Sequence, residues 1–112
     1  MPARPVIVGV TCHAPRPSEG EPGRVNLRRG TLDAIVRAGG TPVLLPPLVE
    51  HAREHLRLCD AFVFTGGDDP RTEEFGAPGP PTHPRATVMD PDRQRHEVTL
   101  LRLLRDEAPH TP

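Results

Sequence analysis

The chain has 112 residues, room for one domain at most. Lys+Arg number 14 against 15 Asp+Glu, for a net charge of -1, so no basic excess exists to hold nucleic acid or an anionic membrane. All the basic residues are Arg, which excludes a Schiff-base or phosphate-loop lysine; two cysteines make no disulfide framework and predict a reducing, cytoplasmic setting; and the longest apolar runs reach only about a third of a membrane helix.

Pro5-Val6-Ile7-Val8-Gly9-Val10-Thr11 is rich in β-branched residues and predicts a strand buried on both faces, as in parallel sheets. Residues 12–23 hold Pro15, Pro17, Pro22, Gly20 and Gly23 and predict a loop. Asn26 can cap a helix running to Ala38, with Leu32, Ile35 and Val36 on its apolar side and Gly39-Gly40 ending it. Thr41–Leu45 predicts a second strand, stopped by Pro46-Pro47. A helix follows from Val49 to Leu58, with Val49, Ala52, Leu56 and Cys59 as its apolar stripe. Ala61–Phe64 predicts the third strand, and Gly66-Gly67 terminates it. Residues 66–89 form a long Gly- and Pro-rich loop, of the kind that is usually functional when real. Asp90-Pro91 then caps a last helix to Asp106 that buries Val98, Leu101 and Leu104.

This order is βαβαβ-loop-α. It predicts the α/β class and a partial three-layer α/β/α sandwich around a parallel sheet. The last helix should deliver the chain into a fourth strand, yet no apolar run is left. Residues 1–112 therefore read as a single incomplete domain that lacks the later strands. Its open sheet edge would offer a route to self-association.

Ligands of open α/β sheets bind beyond the carboxyl ends of the strands. Gly66-Gly67 after the third strand lets backbone N–H groups face a ligand and hold an oxyanion. Asp68 and Asp69 follow directly and argue against phosphate. Cys12 and His13 are adjacent on an extended chain, so they point to opposite faces and make a poor nucleophile pair. Cys59 reads as a small buried hydrophobe. His51 and His55 share i, i+4 spacing but lie on the polar side of their helix, and Asp92 with His96 reads as a surface pair. No metal site and no cofactor is expected. A nucleotide-binding Rossmann half is disfavoured, because no glycine fingerprint follows the first strand.

Several segments together resemble the class I glutamine amidotransferase-like hydrolases, and within them the γ-glutamyl-γ-aminobutyrate hydrolase (peptidase C26) family. They are Pro5–Cys12, Arg37–Pro47 (its "AGG-x-PVLLPP" stretch), Cys59–Pro70 (its "TGG-x-D-x-x-P" stretch) and Asp92–Glu97 (its "RDxxE" helix start). Gln94 stands where the family has Asp, and the glycine segment is shorter. The family's Gly-x-Cys-x-Gly nucleophile elbow and its His and Glu partners do not occur in these residues. The resemblance implies the N-terminal half of a cysteine-dependent γ-glutamyl amide hydrolase. No catalytic residue is then present in the chain, and the chain alone is inactive. Gly66 and Gly67 would be half of the oxyanion hole; Asp68, Asp69 and Glu97 would border the substrate pocket. The partner would be a small γ-glutamyl substrate, with neither nucleic acid nor membrane. The alternative is a non-catalytic α/β module that binds a small anion or amino acid at Gly66-Gly67 or docks on a partner.

Overall fold

The computed structural model describes residues 4–15, 20, 22–67, 71 and 89–112. β-branched side chains favour extended backbone, and Val6–Thr11 forms the central strand β1. It is flanked by β2 (Gly40–Leu45) and β3 (Ala61–Val63), all parallel, in the order β2-β1-β3. The register pairs Val6 with Gly40, Thr11 with Leu45 and Val10 with Val63. Helices α1 (Arg29–Arg37), α2 (Ala52–Leu58) and α3 (Pro91–Glu107) complete the elements among the described residues, with a 3₁₀ turn at Val49–His51 leading into α2. The open parallel sheet with its helices is a partial α/β sandwich, as the element order predicts.

Helices cover both faces of the sheet. A Cβ on Gly40 would stand 2.8 Å from Val8 Cγ2 and 3.1 Å from Ile35 Cγ2, which puts α1 on the Val8 face. On the opposite face, a Cβ on Gly9 would stand 2.8 Å from both Cys59 Sγ and Leu45 Cδ1. Only glycine lets these layers approach so closely there. That face carries the core of Leu45, Cys59 and Leu100, with Ile7, Leu56, Phe62, Phe64 and Leu104 packed against it. Fully burying each such leucine is worth about 1.5–3 kcal/mol.

Asp60 ties the start of β3 to β1. Its carboxylate accepts from Ile7 N–H at 2.8 Å and pairs with Arg4. The Arg4 hydrogen bond, then the Ile7 N–H, hold this carboxyl below its usual range.

Several local expectations are corrected. Asn26 does not cap α1. Its backbone exchanges two hydrogen bonds with His13, at 2.9 and 2.8 Å, so the helix begins at Arg29 behind Arg28, which makes no side-chain cap. Val36 is exposed rather than packed. In α3 it is Leu100 that is fully buried and Leu101 that is exposed. The buried face of α3 runs through Arg93, Gln94, His96, Glu97 and Leu100, so polar groups set its rotation.

His55 and His96 also depart from the surface positions expected of them. Both are buried, and His55 Nδ1 lies 2.8 Å from His96 Nε2, joining α2 to α3. Burial first, and the facing His55 second, push the His96 pKa down to about 4. Burial likewise lowers the pKa of His55, with His51 acting in the same direction and Glu54 opposing.

Among the described residues no helix is long and apolar enough to cross a membrane. Among them, too, no three of His, Cys, Asp and Glu gather as a metal site.

Candidate functional site

The site lies where β1 and β3 end side by side. Beyond Val63 the two strands stay joined through threonines. Thr65 N–H donates to Thr11 Oγ1 at 2.9 Å, and the Thr65 hydroxyl donates to Thr11 O at 2.8 Å. Thr11 is almost wholly buried. The chain then turns through the exposed Gly66 and Gly67. Gly67 has φ +137°, a backbone conformation that disfavours any side chain.

α3 starts against this turn. Asp90 caps it by accepting from Arg93 N–H at 3.0 Å, and Pro91 needs no intrahelical donor there. The cap sets Arg93 in the first turn, pointing at the end of β3. Arg93 is 1% exposed. Its Nη2 donates to Thr65 O at 2.6 Å, to Thr65 Oγ1 at 3.2 Å and to Gly66 O at 3.4 Å. Its Nε donates to Glu97 Oε1 at 3.2 Å, one helical turn on. Its Nη1 is buried and has no partner among the described residues.

This clamp fixes the direction of the turn. Among the described residues no peptide bond is cis, so each C=O points opposite to the N–H of the residue that follows. Arg93 holds the carbonyls of Thr65 and Gly66. The N–H groups of Gly66 and Gly67 therefore point away from Arg93, to the other side of the turn. Among the described residues none accepts from either N–H. Two backbone donors on one side of an exposed glycine turn suit an oxygen that gains negative charge.

Gln94 stands beside Arg93 and is buried. Its Oε1 accepts from Arg71 N–H at 2.5 Å, and its Nε2 donates to Arg71 O at 2.9 Å. Arg71 Nε in turn donates to Met89 O at 2.9 Å. The side-chain amide thus pairs with a backbone unit as a neighbouring strand would. An aspartate here could accept but not donate, which gives the Gln94 departure a structural meaning.

Of the residues singled out in the sequence, Gly66, Gly67 and Glu97 come together around Arg93. Asp68 and Asp69 lie outside the described residues. Cys12 is buried next to the site, and burial raises the pKa of its thiol, the opposite of what a nucleophilic thiolate needs. Burial raises Cys59 as well. Sequence reading missed the Thr11–Thr65 link and the role of Arg93. A signal for Arg93 was present: with Glu97, Leu100 and Leu104 it lies on one helical stripe, just after a proline-capped start.

Residues 5–109 match the sequence profile of the peptidase C26 family. The chain belongs to that family. A glutamine amidotransferase-like protein of Rickettsia prowazekii (strain Madrid E), RP404, is 44% identical to this peptidase C26 member over 43 residues. The match covers 38% of this chain and 15% of that relative's length.

Proposed function

We propose that this peptidase C26 chain supplies the oxygen-binding half of a cysteine-dependent γ-glutamyl amide hydrolase site, of the γ-glutamyl-γ-aminobutyrate hydrolase type. The observation that supports it is the Arg93 clamp, which turns the Gly66 and Gly67 N–H groups to one side. In the reaction a thiolate attacks the amide carbonyl carbon, and the carbonyl oxygen becomes an oxyanion. The glycine N–H groups stabilise that oxyanion. The amine leaves with a proton from a histidine, and water then hydrolyses the thioester. Asp68, Asp69 and Glu97 border the substrate pocket in this reading. Both thiols of the chain are buried with raised pKa values, so the nucleophile comes from outside these 112 residues.

The test is release of amine from a γ-glutamyl anilide by the purified chain. No turnover is expected. Turnover that survives Cys12→Ala and Cys59→Ala would overturn the assignment, because no other thiol is present. The inert thiols also favour a second reading, in which the same turn binds a small anion or amino acid without chemistry. The two readings separate in a longer family member carrying this turn. There Gly67→Ala should lower kcat by about a hundredfold or more for an enzyme.

A further inference from the structure

We propose that Arg93 is a carboxylate-binding group, whose unused Nη1 takes one oxygen of a small-molecule carboxylate beside Gly67. A guanidinium carries five N–H donors in a fixed fork. Nη2 and Nε are committed to Thr65, Gly66 and Glu97, whereas Nη1 is buried and has no acceptor among the described residues. Buried charged donors are rarely left unmatched, and those that are call for an explanation. Nη1 points at the turn: it lies 3.7 Å from where a Cβ on Gly67 would stand. Glycine keeps that space open, and the turn itself is exposed. A ligand lying across the turn can set a carboxylate on Nη1 at one side and a carbonyl oxygen at the Gly66 and Gly67 N–H groups on the other.

The surrounding charge selects the acceptor. Arg93 and the start of α3 are positive, and Glu97 and Asp90 are negative. These nearly balance. A dianionic phosphate is penalised by the two carboxylates, while a single carboxylate still gains one charge-assisted bond from Nη1. The ligand is therefore a small carboxylic acid that also presents a carbonyl, as a γ-glutamyl compound does. Placement of that carbonyl rests on the reading of the Gly66–Gly67 turn given above; the Nη1 contact stands or falls separately.

The experiment follows the Arg93 side-chain nitrogens and the Gly66 and Gly67 amides by NMR in the nitrogen-labelled 112-residue chain. Glutaramate (the monoamide, with one carboxylate and one amide carbonyl), glutaramide (the diamide) and inorganic phosphate are titrated at constant ionic strength. Glutaramate should move the Arg93 signals saturably, and glutaramide and phosphate should not. Glu97→Gln removes one negative charge while keeping an acceptor for Nε, so it should tighten glutaramate binding roughly threefold or more. Arg93→Lys should abolish the saturable response. Because Arg93→Lys disturbs the clamp as well, the Glu97→Gln result carries equal weight. Silent Arg93 signals overturn the proposal; if the glycine amides still respond, the oxyanion reading survives without it. Responding Arg93 signals with silent glycine amides support the carboxylate contact and count against the oxyanion reading. Equal responses to phosphate and glutaramate, or a Glu97→Gln chain that binds no tighter, overturn the proposal.

Discussion

Acid should unlock α2 from α3 through the His55–His96 pair. The two ring nitrogens are 2.8 Å apart, so one donates and the other accepts. A further proton would set two donors face to face in a buried site. His96 has a folded pKa of about 4 against 6.5 when unfolded. A depressed folded pKa contributes stability that is fully present above 6.5 and is lost as pH falls toward 4. The loss relative to pH 7 works out at about 2 kcal/mol by pH 5 and about 3 kcal/mol by pH 4. His55 is shifted in the same direction and adds to it. Urea unfolding followed by circular dichroism at pH 7, 6 and 5 measures the slope. His96→Gln removes the titrating group, so its stability should fall less steeply over this range, from a lower value at pH 7. An equally steep decline in the His96→Gln chain would refute the reasoning.

Three further outcomes are expected. Gly9→Ala would press a methyl to within 2.8 Å of Cys59 Sγ and Leu45 Cδ1, and should cost about 1–3 kcal/mol in chemical denaturation. Thr65→Val keeps the shape but deletes the hydroxyl that donates to Thr11 O; a loss of about 1–3 kcal/mol and faster exchange of the Gly66 amide should follow. Arg93→Met leaves Glu97 buried without its partner and should cost about 3–5 kcal/mol, read as a lower melting temperature that Glu97→Gln in the same chain partly restores.

The sequence was most informative where hydrophobicity alone decides the structure. β1, β2 and β3 are apolar blocks with β-branched residues, and their parallel order follows from the helices between them. The glycine turn was legible for a related reason, since paired glycines after a buried strand have few structural uses. The rotation of α3 was not legible. An apolar-periodicity search selects Val98, Leu101 and Leu104, whereas the helix buries Leu100 and four polar residues ahead of it. Those polar residues face inward because partners from distant segments meet them: Thr65, Arg71 and His55. Such partnerships are non-local, so spacing within the helix cannot reveal them. Asn26 failed as a cap on the same grounds, because its backbone was already committed to His13.

A helix that buries Arg93, Gln94, His96 and Glu97 cannot slide into place on hydrophobicity alone. Until Thr65, Gly66, Arg71 and His55 stand in position, each of those groups would give up water without return. Docking of α3 is therefore expected to be all-or-none and late, after β1, β2 and α1 have gathered through nearer contacts. The step that closes the core over Leu100 is the same step that aims the glycine turn. Truncating Leu100 should accordingly speed unfolding far more than it slows folding. A chain that has not finished folding has no aimed glycine turn to offer.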